Sequence, residues 1–159
     1  MSDRYAVIGH PIAHTKSPRI HRLFAQQTAQ EIEYEALLSP LEGFQETLAR
    51  FFSAGGCGAN ITVPFKQEAW ALVSWRTERA QRAGAVNTVI LKSSYSLGEL
   101  EGDNTDGVGL LRDLIDNHSV MLQGATVVLI GAGGAARGVL GPLLEAKPMR
   151  LVVANRHAA

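Results

Sequence analysis

The sequence predicts an α/β fold: a mainly parallel α/β sheet unit, followed by the first β-α-β of a second unit. Two patterns point there. From Arg4 to Leu91, short apolar or alternating runs of strand length interleave with stretches of helical periodicity. After Gln123-Gly124 the pattern restarts as strand, glycine turn, helix and strand. A hydrophobic content of 46% supplies enough apolar side chain for a core.

Taken in order, Arg4–Gly9 reads as a buried strand. Ser17 at an N-cap and Pro18 at the first helical position open a helix in which Ile20, Leu23 and Phe24 share a face. "IEYEALL" alternates like a strand. In "SPLEGFQETLARFF", Ser39 and Glu42 have capping-box spacing, and Leu41, Phe44, Leu48, Phe51 and Phe52 form one apolar face. "GANITV" predicts a strand and Pro64 the start of the helix "PFKQEAWALV", with Trp70 and Trp75 as packing residues. A charged helix, "TERAQRAG", leads to the strand "AVNTVIL", and "SSYSL" reads as a hairpin turn. "DNTDG" is a turn before "VGLLRDLIDN", with Asp106 expected to cap that helix. The resulting division is a first α/β unit over 1–103, a linking helix or hinge over 104–124, and the opening β-α-β of a second unit over 125–159.

Charge is balanced, fifteen basic against fifteen acidic residues, so nothing in the electrostatics favours nucleic acid or an anionic membrane. The single cysteine, Cys57, excludes an internal disulfide and suits a reducing compartment. With no recognisable leader and no run of membrane-spanning length, a cytoplasmic protein is expected, as a monomer or homodimer.

"GAGGAA", Gly131 to Ala136, fits the dinucleotide fingerprint of a Rossmann-type domain. Gly131 permits the tight turn, Gly133 lets backbone approach a pyrophosphate, and Ala136 allows close helix–strand contact. Gly131, Ala132, Gly133, Gly134 and Ala135 are the pyrophosphate candidates, because free amides at a helix start bind anions. A glycine turn that merely packs helix on strand is the plainer reading. At the end of the next strand, Asn155 and Arg156 stand where NAD sites carry an acid, which predicts NADP. Lys66 lies in the first turn of its helix, where the dipole favours the neutral amine and hence proton exchange with a substrate hydroxyl. Read singly, Lys66 is more simply a solvated lysine, Asp106 and Ser17 caps, and Asn87 a strand residue. His10, His14 and His21 lack an acidic or cysteine cluster, so no metal is expected.

Taken together, "GHPIAHTKSPRIH", "GANITVPFK", "AGAVNTV", "DNTDGVG" and "GAGGAARGV", in order from Tyr5 to Arg156, resemble the shikimate dehydrogenase family. The resemblance implies NADPH-dependent reversible reduction of 3-dehydroshikimate to shikimate, in aromatic amino-acid biosynthesis. It casts Lys66 and Asp106 as the catalytic pair. Thr15 and Ser17 would hold the substrate carboxylate, while Thr62, Asn87 and Asp106 would line the polyol side. Asn155 and Arg156 match the clamp on the adenosine phosphate.

Three positions depart from the family's usual pattern: Thr15 for serine, His10 for asparagine and His157 for threonine. Family members also continue well past the second nucleotide-domain strand. The 159-residue chain is therefore expected to be an incomplete form with reduced or no activity. A shikimate-binding fragment or interaction module without turnover, and an NAD-preferring quinate/shikimate paralogue, stand as the alternatives.

Overall fold

The computed structural model describes residues 2–92 and 99–156, so the predicted turn at "SSYSL" and His157 lie outside the described residues. The first part of the chain folds as β1 (Asp3–Gly9), α1 (Ser17–Gln27), β2 (Ile32–Leu38), α2 (Phe44–Ser53), β3 (Gly56–Ile61) and α3 (Lys66–Leu72). There follow β4 (Trp75–Arg76), α4 (Glu78–Ala83), β5 (Thr88–Leu91), β6 (Leu100–Asp103) and α5 (Asp106–Arg112), which widens into a π-turn over Asp113–Asn117. The last elements are β7 (Thr126–Ile130), α6 (Gly134–Glu145) and β8 (Arg150–Ala154).

Six strands form one sheet in the order β2-β1-β3-β5-β6-β4, and β7-β8 form a second. Pairing is mainly parallel: β1 with β2 and β3, β4 with β6, and β7 with β8. Among the described residues, strand β5 alone runs antiparallel to both its neighbours. That reversal places the start of β5 beside the ends of β3 and β6, with Thr88 opposite Asn60 and Asp103. In open α/β sheets the carboxyl ends of the strands are where ligands bind.

One core packs α2 and α3 on the sheet through Phe44, Leu48, Phe51, Phe52 and Phe65 against Ala6, Ile8, Ala59 and Ile61. Phe44 and Phe65 stack at 4.7 Å, both buried. A smaller core joins Leu122, Val139 and Leu143 to Leu111, Val127 and Leu151, seating α6 between the end of α5 and the β7-β8 pair.

Several local expectations give way to tertiary structure. Ser17 is the first residue of α1, and Lys16 holds the cap position without a side-chain bond. Thr15 supplies the hydroxyl there, its Oγ1 accepting from the Ser17 amide at 3.3 Å. No capping box forms at Ser39, because Gly43 turns back on the Pro40 carbonyl and α2 starts only at Phe44. Buried Ser39 instead donates to Pro40 O or Thr47 Oγ1, and Leu41 is left exposed. Helix α1 rests on the sheet through Ala25 and His21, whose ring stacks on Tyr34 at 4.0 Å. Ile20, Leu23 and Phe24 are exposed, with the Phe24 ring edge-on to that of His21. Pro64 lies in the turn before α3 rather than in the helix. Trp75 is exposed, whereas Trp70 packs on the core beneath the Arg76 guanidinium.

Candidate active site at the strand ends

Beyond β3, the Thr62 amide donates to Ile8 O and the Phe65 amide to Thr62 O, a turn that delivers Lys66 as the first residue of α3. Lys66 Nζ lies 2.6 Å from Asp106 Oδ2, the two side chains 12% and 23% exposed. Enough water is excluded to strengthen the pair, and enough access remains for a ligand to reach it. Asp106 is the first residue of α5, and Thr105 holds the cap position. Its carboxylate therefore does not cap the helix: the amine of Lys66 has claimed it. A carboxylate in a first helical turn is favoured by the dipole in any case.

Asn87 completes the arrangement. Its buried Nδ2 donates to Asp106 Oδ1 at 2.8 Å and lies 3.0 Å from Thr105 Oγ1. Its Oδ1 accepts from the Thr105 amide at 3.0 Å and from Thr88 Oγ1 at 2.8 Å. Each Asp106 oxygen thus has its own donor, and Asn87 acts through its side chain as well as being a residue beside β5. Thr15 donates to Ser17 Oγ at 3.1 Å on the loop after β1. That loop starts beside Thr62, since the His10 amide bonds Val63 O at 2.9 Å. His10 Nδ1 meets Ser39 O at 2.8 Å, and burial holds the His21 imidazole below its usual pKa.

A buried acid behind the site escaped the sequence reading. Asp103 takes Arg79 in a two-pronged ion pair, accepts from Thr77 Oγ1 at 2.6 Å, and also accepts from the Asn104 amide. The bond from Arg79 holds the Asp103 carboxyl below its usual range. The available signal was a run of polar residues, "GDNTDG", following an apolar position.

The glycine turn stands next to this group. Gly131 has φ 108°, a left-handed value that favours glycine, and its amide donates to Ala154 O at 2.7 Å. At Gly131 and Gly133 an added Cβ would meet nothing within 4 Å, so the turn is open on that side. Gly133 caps α6 without a side-chain bond, which leaves the first amides of the helix available to an anion. At Gly134 the added Cβ would lie 3.2 Å from Lys66 Cβ, so the turn abuts the lysine stem. Ala132 is exposed on the same turn and Ala135 in the first turn of α6, and Asn155 and Arg156 follow β8 beside the glycine turn, also exposed. The open turn and the free helix start fit the pyrophosphate of a dinucleotide. Among the described residues, no helix is long and apolar enough to cross a membrane.

Fold and site together define an α/β protein with an amine–carboxylate pair at its strand ends and a dinucleotide-type turn against it. Residues 7–89 match the family described as the shikimate dehydrogenase substrate binding domain, and the chain belongs to that family. It is 58% identical over 158 residues to the NADP(+) shikimate dehydrogenase of Marinobacter nauticus, covering 99% of this chain and 56% of that one. Identity to the enzyme of the same name from Alkalilimnicola ehrlichii is also 58%, covering 100% of this chain and 57% of that protein. Shikimate 5-dehydrogenase from Thermus thermophilus, solved with NADP(H) and shikimate, superposes with a TM-score of 0.84 at 40% identity, over 97% of this chain and 56% of that one. The chain spans just over half the length of these relatives.

Proposed function

We propose that this chain is the substrate-binding and catalytic part, with the opening of the nucleotide domain, of an NADP-dependent shikimate dehydrogenase. Its reaction is the reversible reduction of 3-dehydroshikimate to shikimate, a step of aromatic amino-acid biosynthesis. The observation that carries the reading is the Lys66–Asp106 pair, 2.6 Å apart at the sheet end where the glycine turn arrives. The division of labour follows the chain: 1–103 for substrate, 104–124 as the link, and 125–159 as the start of a Rossmann-type cofactor domain. A cytoplasmic monomer or homodimer fits the single cysteine and the balanced charge.

Lys66 donates a proton to the substrate oxygen as the carbonyl becomes a hydroxyl, and takes it back in reverse. Asp106 holds the ammonium in place and accepts from a ring hydroxyl, while Asn87 fixes the carboxylate from its other side. Thr62 and Asn87 line the polyol side, and Thr15 and Ser17 hold the substrate carboxylate. Small neutral donors suit a ligand whose several oxygens each need a partner once water is excluded. NADPH, when bound, would supply the hydride for the reduction, and NADP+ would accept it in the reverse direction. Gly131, Ala132, Gly133, Gly134 and Ala135 would hold its pyrophosphate, and Asn155 with Arg156 its adenosine phosphate. The missing acid at the end of β8 argues against an NAD-preferring quinate/shikimate paralogue.

The test is calorimetric titration of the 159-residue chain with shikimate and with NADP, followed by initial rates of NADP reduction. Shikimate binding with measurable turnover, lost in Lys66→Ala while binding persists, supports the reading. Full turnover in Lys66→Ala overturns the assigned role. Shikimate binding without NADP binding or turnover establishes the alternative, a binding module.

A further inference from the structure

Asn104 lies among the segments that carry Lys66, Asn87 and Asp106 and against α6, yet bonds none of the ligand-facing side-chain atoms named above. It is 2% exposed. Its Oδ1 accepts from the Asp106 amide at 3.2 Å, and its Nδ2 donates to Ala85 O at 3.0 Å. The segment it grips through Ala85 continues to Val86, whose amide donates to Lys66 O at 2.8 Å, and then to Asn87. The far side of the carboxamide lies against α6: a Cβ added at Gly138 would sit 2.6 Å from Asn104 Oδ1 and 2.9 Å from Nδ2. One buried amide therefore registers the backbones of Asp106, Asn87 and Lys66 against the helix that follows the glycine turn.

We infer that Asn104 is a positioning residue: it sets the Lys66–Asp106 contact and couples that contact to the seat of α6. The inference rests on the functional reading for its purpose, but its geometry is measurable without any ligand. An asparagine that only stabilised the turn would, on removal, lower the melting temperature and leave the ion pair of the folded molecules as it was. A positioning residue must loosen the pair itself.

The experiment labels the folded 159-residue chain with acetic anhydride and reads acetylation of Lys66 relative to exposed Lys147, with Lys16 and Lys92 as further internal references. Asn104→Ala removes both side-chain bonds. Asn104→Ser keeps an acceptor, because a serine hydroxyl also bonds the amide two residues on. Both lose the donor to Ala85. The ratio is expected to rise about tenfold in Asn104→Ala, the size expected when a buried hydrogen bond is removed, and to return most of the way in Asn104→Ser. Gly138→Ala, which presses on the carboxamide from α6, is expected to raise it too. An unchanged ratio in folded Asn104→Ala, or equal ratios in the alanine and serine variants, overturns the inference. If the alanine variant does not fold, Gly138→Ala decides, and a wild-type ratio there overturns it. Shikimate affinity, measured on the same samples, is expected to fall in parallel. Failure of the wild-type chain to bind shikimate sinks the functional reading and leaves the labelling result to stand alone.

Discussion

Lys66 and Asp106 are forty positions apart in the chain and 2.6 Å apart in the structure, and Asn87 occupies the carboxylate oxygen that the lysine leaves. The carboxylate is needed because it accepts on both sides at once. An asparagine at 106 would have to turn its own N–H groups toward either the Lys66 ammonium or the Asn87 amide, setting donor against donor. Asp106→Asn is therefore expected to fold, to bind shikimate more weakly, and to lower turnover by about a hundredfold or more, the ordinary scale of an acid–base partner. Initial rates across a shikimate series check this.

Removing one partner of the pair is expected to be less tolerable than removing the charge on the other. Asp106→Ala strands a largely covered ammonium, a mechanism that costs about 3–5 kcal/mol where burial is complete and less at this partly open site. Lys66→Met leaves Asp106 its bond from Asn87 and fills much of the same volume. The melting temperature is expected to fall further for Asp106→Ala than for Lys66→Met, read by thermal scans at neutral pH.

Asp103 gives the fold a defined acid sensitivity. Its carboxyl is held below the ordinary value of 3.8 by the bond from Arg79, assisted by Thr77 and the Asn104 amide. A carboxyl depressed in the folded state contributes stability that is complete above its unfolded value and lost as pH falls through the folded one. Urea midpoints are thus expected to drop below about pH 4 in the wild type, and the slope to flatten in Asp103→Asn.

The two units meet through small residues. A Cβ at Gly107 would lie 2.5 Å from Pro142 Cγ and 2.6 Å from Gly138 O, so α6 packs its Pro142 ring and Gly138 backbone against a point of α5 that has no side chain. Gly107→Ala must push the helices apart. A loss of about 1–3 kcal/mol is expected, as for other overpacked contacts, with weaker NADP binding because the glycine turn moves away from Lys66. Denaturant unfolding and NADP titration on the same variant check both parts.

What the sequence discloses is what local chemistry decides. The glycine turn reads correctly because Gly131 needs its left-handed φ and the flanking strand and helix are strongly patterned. Strands β4 and β6 escape notice because Trp75–Arg76 and "LEGD" carry no alternation, and pairing alone makes them strands. Asp106 reads as a cap until a lysine from another element reaches it. The apolar face of α1 is visible in sequence, but which face meets the sheet is set by the small Ala25 and the His21–Tyr34 stack, neither a local property. Asn104 is the clearest case: only the fold brings Ala85 and Gly138 to a carboxamide that looks like any turn asparagine.

On the proposed function, cofactor choice rests on the residues that follow β8. Asn155 and Arg156 stand beside Gly131, whose amide bonds Ala154 O at 2.7 Å, so an adenosine ribose seated along the turn would meet the Arg156 side of the strand end. With no acid there, no carboxylate would accept from the two ribose hydroxyls as in an NAD site, while a guanidinium matches a phosphate through paired donors. Arg156→Ala is expected to weaken NADP about tenfold or more, in keeping with the loss of a charge-assisted contact, and to leave NAD nearly unchanged. Adding an acid in Asn155→Asp/Arg156→Ala is expected to move preference toward NAD. Dissociation constants for both nucleotides across the three proteins measure the effect, and equal losses for NADP and NAD in Arg156→Ala would remove the arginine from the phosphate clamp.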